Sequence, residues 1–169
     1  GCFYANLIRE MQAKSEEKCP FCRKPALGKV EIEGYMMKRI EANDPVAISQ
    51  QGSECYKKGD YSSAFEYFSK AAKFGDIEAH YKLSICYHLG HGVEKDEKKR
   101  VFHWEEAAIA GHPIARCSLA SYELKKGRVD RAVKHVIISA NLGWDKSIGL
   151  LKNFYKLEYV SKEDFASAL

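Results

Sequence analysis

The chain of 169 residues has no long apolar run, only four prolines and little net charge. Its apolar stretches are interrupted by charged residues well before the roughly 18 to 20 residues that a membrane-spanning helix needs. The 27 Lys and Arg residues stand against 23 Asp and Glu, a formal charge of +4. No part of the chain concentrates the positive charge that binding to a phosphate backbone requires. These shortages exclude a transmembrane helix and argue against a nucleic-acid binder.

Strand patterns and catalytic motifs are scarce as well. Runs of β-branched residues with a period of two are few, and the prolines fall outside the longer helix-like stretches. No Ser-His-Asp arrangement, glycine-rich phosphate loop or carboxylate pair has the spacing that its mechanism requires. The sequence therefore predicts an all-α fold whose helices carry out no catalysis.

What the chain has instead is a repeat of itself, at intervals of about 32 to 36 residues. An anchoring alanine and a pair of small residues followed by glycine recur at helical spacing. The anchors are Ala47, Ala79 and Ala115, and the small pairs are Ala71-Ala72, Ala107-Ala108 and Ser139-Ala140. The glycines at positions 75, 111 and 143 are typical of residues that end a helix. Each repeat is predicted to be helix, short loop, helix, and stacking buries the apolar faces.

The middle repeat carries the most specific pattern. Gly90-x-Gly92-Val93-x-x-Asp96-x-x-Lys99 is followed by Trp104 and then by a small pair and glycine. On these residues the region resembles the Sel1-like repeat, a relative of the tetratricopeptide repeat. The resemblance implies an α-solenoid of stacked antiparallel helix pairs over residues 45–169, with about three repeats plus capping helices. Residues 27–44 are then a linker and capping helix, and the expected function is a protein-protein interaction scaffold.

By the same resemblance, the first helix of each pair lines a concave groove. The residues expected there are Ser49, Ser53, Lys57, Tyr81, Ile85, His88, Cys117, Ser121 and Lys125. We interpret this strip as uncharged on balance and suited to a peptide held by hydrogen bonds and modest apolar contact. The alternative is that some of these side chains pack between repeats.

One chemical motif lies near the N-terminus, in the run Cys19-Pro20-Phe21-Cys22-Arg23. Two thiolates at this spacing can bind one zinc ion, but a tetrahedral zinc site takes four ligands. The nearest further candidate is Cys2. A zinc site built from this sequence alone is therefore incomplete.

Residues 1–26 resemble the C-terminal half of a RING-type zinc finger. The resemblance implies that Cys2 belongs to one zinc site and the Cys19/Cys22 pair to another, with the remaining ligands upstream of this sequence. It also implies that Pro20 and Arg23 contact a ubiquitin-conjugating enzyme. We expect zinc in an intact parent protein but none in this chain. In that parent the repeats would recruit substrate for a RING-type ubiquitin ligase.

Two other interpretations of the motif stay open. A dithiol oxidoreductase could use Cys19 and Cys22, although that chemistry favours a strand before the first thiol and a helix after it. Here a charged, helix-like run precedes the pair and Lys24-Pro25 follows it. The other interpretation is two exposed thiols in a loosely ordered segment.

The remaining cysteines do not occupy equivalent repeat positions. We expect Cys55, Cys86 and Cys117 to be free, buried or half-buried thiols. The six cysteines lack a disulfide framework, which favours a reducing compartment, cytoplasm or nucleus, over a lumenal scaffold with an upstream signal sequence. Solvent-facing or capping roles are predicted for His80, His88 and His91, and a turn position for His112. The charged run of residues 94–100 is predicted to be a solvated helix start.

Overall fold

The computed structural model describes the backbone of residues 29–167, and the chain divides into two units between Ala42 and Asn43. In the first unit the described part is one helix, α1 (Lys29–Glu41). Residues 1–26, with the cysteine motif and every expectation attached to it, lie outside the described residues.

The second unit is built from helices that follow one another through short turns. They are α2 (Pro45–Lys57), α3 (Tyr61–Lys73), α4 (Ile77–Leu89), α5 (Glu97–Ile109), α6 (Pro113–Lys125), α7 (Val129–Asn141), α8 (Asp145–Lys156) and α9 (Lys162–Ser167). No strand occurs between residues 29 and 167. Each helix packs mainly on its neighbours in sequence, with the strongest pairing of α2 with α3, α4 with α5, and α6 with α7. This is the predicted all-α solenoid.

Local sequence explains where these helices begin. The Asp44 carboxylate accepts hydrogen bonds from the backbone N–H groups of Val46 and Ala47, and the Asp76 carboxylate accepts one from Ala79. Such side chains satisfy backbone donors that the first turn of a helix leaves unpaired. At the other end, Gly75 has a φ of +83° that other residues rarely adopt. The start and stop signals in the sequence thus fix the repeat length.

Small residues allow the helices to approach closely. Ala71, Ala107 and Ala115 are fully buried, as the repeat pattern predicts. In the first repeat, Gly52 performs this role for a larger partner, because a Cβ atom there would lie 2.8 Å from Cε1 of Phe68. The Phe68 ring consequently packs directly beneath α2 and is only 1% exposed.

The loop between α4 and α5, residues 90–96, is in close contact with the first repeat. Gly92 has a φ of +72°, and a Cβ atom there would lie 2.2 Å from the carbonyl oxygen of Tyr61. The Asp96 N–H donates to the carbonyl oxygen of Tyr87 at 3.1 Å, which ties the end of the loop to α4. The loop is therefore packed against the start of α3 and not extended into solvent.

Candidate functional site

A cavity of about 140 Å³ lies between the first helices of the first two repeats. Its lining comes from three helices: Ser53, Tyr56 and Lys57 of α2, Phe68 of α3, and Lys82 and Ile85 of α4. Ser53, Lys57 and Ile85 belong to the strip that the sequence predicts for a groove. We refer to this cavity as the α2–α4 pocket.

The apolar part of the α2–α4 pocket is closely packed. Phe68 is held in place by its close contact with Gly52, and Ile85 is half-buried. The Ser53 hydroxyl donates to the Ser49 carbonyl oxygen at 3.1 Å, so its proton is engaged within the helix. Shape and apolar surface therefore dominate the interior of the pocket.

The Tyr56 side of the pocket is fixed by the inserted loop. The Tyr56 hydroxyl and Nδ1 of His91 are hydrogen-bonded at 2.8 Å. The His91 ring also stacks on Tyr61, with 3.9 Å between ring centroids and 16° between planes. Burial raises the pKa of Tyr56, with smaller contributions from Cys86 and Tyr61, so the phenol stays protonated at neutral pH. The expected solvent-facing or capping role for His91 is wrong, because this side chain packs against two tyrosines.

Two ammonium groups stand at the pocket. Lys57 Nζ lies 3.2 Å from Glu54 Oε1, and Lys82 Nζ lies 3.1 Å from Glu78 Oε1. No carboxylate is among the lining residues. The predicted strip itself contains Lys57 and Lys125 but no acidic residue, so its interpretation as uncharged on balance is wrong.

The Glu78 carboxylate contacts two partners, one through each oxygen. Its second oxygen, Oε2, lies 3.1 Å from Nε2 of His112. Nδ1 of that ring accepts a hydrogen bond from the Ala115 N–H, which leaves Nε2 as the donor to Glu78. The His112 hydrogen bond, followed by Lys82, lowers the pKa of Glu78 against the effect of burial. His112 is thus more than a turn residue, since it caps α6 and connects it to α4.

Three other residues of the predicted strip are engaged in packing or pairing. Ser49 is buried at 5% exposure. The Tyr81 ring stacks on His112 at 4.6 Å between centroids, and burial together with Glu78 raises the pKa of its hydroxyl. His88 Nδ1 lies 2.7 Å from Nη1 of Arg100.

Arg100 differs from the predicted solvated helix start. Its side chain is only 16% exposed, and its guanidinium carbon lies 4.5 Å from the centre of the Trp104 ring. The other charged residues of positions 94–99 are exposed or half-buried at the surface.

The third repeat has a buried polar network at the corresponding place. Cys117 Sγ lies 3.1 Å from Ser147 Oγ, and Ser147 donates to Ser139 Oγ at 2.6 Å. Ser139 in turn donates to the carbonyl oxygen of Pro113 at 2.8 Å. Ser121 donates to the carbonyl oxygen of Cys117 at 3.2 Å, while Lys125 is exposed. Cys117, Ser139 and Ser147 thus join α6, α7 and α8. None of the residues of this network lines the α2–α4 pocket.

His80 and His103 form a pair between α4 and α5, with 3.1 Å between their Nδ1 atoms. Burial, with smaller contributions from His80 and Lys99, lowers the pKa of His103 to about 4. His103 is therefore neutral in the folded protein at pH 7. The solvent or capping role expected for His80 is wrong, because His80 contacts this ring and is half-buried.

The cysteines among the described residues form no disulfide. Cys86 is buried and Cys55 and Cys117 are half-buried, all three in the free form. Burial raises the pKa of Cys86 to about 11, which disfavours the reactive thiolate.

Between residues 29 and 167 no group of three or more His, Cys, Asp or Glu side chains is placed to hold a metal ion. In the same part of the chain, no helix has the length and apolarity needed to cross a membrane.

Comparison with known proteins agrees with this architecture. The Sel1 repeat family model matches residues 47–76 and 77–112. The crystal structure of a Sel1 repeat protein from Oxalobacter formigenes superimposes with a TM-score of 0.69 at 27% identity, covering 80% of this chain and 60% of that one. The second unit therefore has the Sel1-repeat solenoid fold. Sel1 repeat proteins act as protein-protein interaction scaffolds.

Two curated relatives match shorter segments. DAP3-binding cell death enhancer 1 of Rattus norvegicus is 41% identical over 56 residues, which is 33% of this chain and 11% of the rat protein. Chitin synthase regulator SKT5 of Saccharomyces cerevisiae is 33% identical over 96 residues, 57% of this chain and 13% of the yeast protein. The chain thus spans only a small part of the length of these relatives.

Proposed function

We propose that this chain binds a protein partner by holding a peptide segment across the first helices of its first two repeats, with one side chain in the α2–α4 pocket. The observation that carries the proposal is the convergence of Ser53, Lys57 and Ile85 on one cavity. A pocket with a mainly apolar interior and a few polar groups is a common form of binding site. The scaffold function of Sel1 repeat proteins supports the same use of this surface.

A peptide screen tests the proposal with the full chain. Immobilised peptides with a central apolar residue are probed with the labelled protein and with its Ile85→Asp variant. The matched control is Ile138→Asp, because Ile138 lies on α7 and is 38% exposed. We expect the control to retain the bound peptides and Ile85→Asp to lose them.

Ile85→Asp introduces a charge at a half-buried position, so a second variant is needed. Ser53→Met fills the cavity from its rim without a charge, and circular dichroism compares the helix content of all variants. If both pocket variants keep the peptides that the wild-type chain binds, the binding surface lies elsewhere and the proposal is wrong.

We further propose that in an intact parent these repeats recruit substrate for a RING-type ubiquitin ligase, working in the cytoplasm or nucleus where thiols stay reduced. The support is the pattern of Cys2, Cys19 and Cys22 with Pro20 and Arg23. Thiolates suit zinc, and zinc would supply the folding energy of such a domain. Three thiols are one short of a single tetrahedral site, and they would be divided between two.

A zinc titration of a chain extended upstream of Gly1 tests this second proposal. We expect two zinc ions per chain, bound only when the cysteines are intact, and contact of Pro20 and Arg23 with a ubiquitin-conjugating enzyme. Absence of zinc binding, together with a Cys19 or Cys22 thiol of depressed pKa, would overturn it.

A further inference from the structure

We infer that the α2–α4 pocket selects acidic peptides, taking an apolar side chain of about leucine size that is flanked by carboxylates. This inference rests on the proposed peptide binding and adds the chemical class of the partner. It follows from the size of the cavity and from the distribution of charge around it.

The size of the cavity limits the side chain. An engineered protein cavity of about 150 Å³ lined by apolar residues holds one benzene molecule. The α2–α4 pocket, at about 140 Å³, is nearly the same size. Its apolar contacts come from Phe68 and Ile85, with the Tyr56 ring beside them. One leucine, isoleucine or phenylalanine side chain is the group that fits this space.

An ammonium group lies at the pocket on each of the two helices that flank it. Lys57 belongs to α2 and Lys82 to α4, and the lining contains no Asp or Glu. A peptide that crosses from one helix to the other therefore meets an ammonium group on either side of its buried residue. Complementary charge on the peptide raises the association rate and disfavours basic competitors.

The existing partners of these lysines do not block a ligand. The side chains of Lys57 and Glu54 are 71% and 37% exposed, and those of Lys82 and Glu78 are 34% and 50% exposed. Exposed pairs of this kind stabilise a protein by only about 0 to 1 kcal/mol. Both ammonium groups can therefore turn to a peptide carboxylate at small cost.

Preorganisation strengthens the selection. The Tyr56 ring is held by His91, and Phe68 is held against Gly52, so two sides of the pocket exist before a ligand arrives. A binding surface that is already ordered loses less conformational entropy when a ligand binds, so the affinity is higher. Tyr56 stays uncharged because its pKa is raised, so its hydroxyl adds no negative charge beside an acidic peptide.

Fluorescence anisotropy with defined peptides tests the inference on the full chain. The probe is a fluorescein-labelled Gly/Ser peptide with a central leucine between aspartates. Three matched peptides carry asparagine in place of the aspartates, lysine in place of the aspartates, or serine in place of the leucine. We expect the acidic leucine peptide to bind about tenfold or more tightly than each of the others, with an affinity that falls as salt rises.

Charge reversal in the protein is the decisive step. In the double variant Lys57→Glu with Lys82→Glu, we expect the preference to invert towards the basic peptide. The control is Lys134→Glu with Lys152→Glu, which makes the same change in net charge at exposed positions on α7 and α8. This control should keep the acidic preference.

The outcomes separate the two levels of the proposal. If the asparagine and aspartate peptides bind equally and Ile85→Asp abolishes both, peptide binding at the pocket stands and the acidic selectivity is wrong. If the control double variant inverts the preference as strongly as the pocket variant, overall charge and not the pocket selects the peptide. If none of the four peptides binds, the inference is wrong, and the peptide screen with Ile85→Asp decides separately on the proposed function.

Discussion

The first two repeats and the third repeat use equivalent positions on their first helices in different ways. Six residues after the anchoring alanine, Ser53 and Ile85 line the α2–α4 pocket. The equivalent Ser121 is exposed at the surface, although its hydroxyl donates within its own helix as that of Ser53 does. In the third repeat the neighbouring Cys117 thiol contacts Ser147 of α8. The repeat pattern thus determines which side chains lie on the exposed face of the first helix. Contacts with the next repeat determine which of those side chains remain accessible to a ligand.

The largest effect is expected from the floor of the pocket. Phe68→Ala should lower the free energy of unfolding by about 3 to 5 kcal/mol, because it removes a buried ring and leaves a cavity. Leu151→Ala, in the core beside the third repeat, should cost about 2 to 5 kcal/mol. Urea unfolding measures both. Peptide binding should be lost in Phe68→Ala and retained in Leu151→Ala under folding conditions; loss in both would remove the contrast between the two regions.

The loop of residues 90–96 offers a comparison between two glycines. Gly92 and Gly127 have similar φ angles of +72° and +74°, but only at Gly92 would a Cβ atom meet backbone, while nothing lies within 4 Å of one at Gly127. Gly127→Ala should cost about 1 kcal/mol from the backbone conformation alone. Gly92→Ala should cost clearly more, because the loop must also move away from Tyr61. Equal melting temperatures for the two variants would show that the loop contact contributes nothing.

The buried polar network of the third repeat should tolerate loss of its central hydroxyl poorly. Ser147→Ala leaves the buried Ser139 hydroxyl and the half-buried Cys117 thiol without one of their partners. We expect a loss of about 1 to 3 kcal/mol in urea unfolding. Ser53→Ala in the first repeat is the matched control and should change stability by less than about 0.5 kcal/mol. A neutral Ser147→Ala would mean that the network adds little to the stacking of α6 on α8.

The smallest and most gradual effect is a dependence on pH. The pKa of His103 is about 4 in the folded protein and near 6.5 in the unfolded chain. Between these two values the unfolded chain binds more protons than the folded protein, so a falling pH favours unfolding. The stability that neutral His103 contributes is therefore fully present above about pH 6.5. That contribution is lost as pH falls from about 6.5 towards 4. His135 in the third repeat is shifted in the same direction, by burial and then Arg116.

Unfolding at several pH values checks this dependence. His103→Gln should flatten the loss of stability between about pH 6.5 and 4.5, where the carboxylates of Glu78 and Glu123 are still ionised, since their pKa values are lowered. His135→Gln should flatten it in part. An unchanged profile in His103→Gln would contradict the neutral state of His103 in the folded protein.

The sequence predicts the positions of the helices well, but it predicts poorly which surface side chains are accessible to a ligand. Asp44 and Asp76 mark helix starts and Gly75 marks a stop by interactions within a few residues, so local reasoning finds them. The partners of His91 are Tyr56 and Tyr61, some 30 residues earlier in the chain, and a histidine between two glycines gives no local sign of them.

The residues of the α2–α4 pocket could likewise be predicted only in part from the sequence. Ile85 and Ser53 fall on the predicted face of their helices because helical periodicity places them there. Tyr81 and Cys117 share that face, but they are engaged by His112 and Ser147 of the following helix pair. Tyr56 and Phe68 were absent from the predicted strip, because the contact of Phe68 with Gly52 depends on the packing distance between α2 and α3.

The loop held by His91 also bears on how the solenoid melts. In a stack of repeats, each unit contacts only its neighbours, and folding can in principle begin or end at any of them. Here the loop of residues 90–96, which belongs to the second repeat, packs over the start of α3, and its His91 is hydrogen-bonded to Tyr56. The first helix pair therefore cannot unfold without breaking contacts with the second repeat. The first two repeats should therefore exchange their amide hydrogens as one cooperative block, which keeps the peptide-binding surface intact until that block opens as a whole.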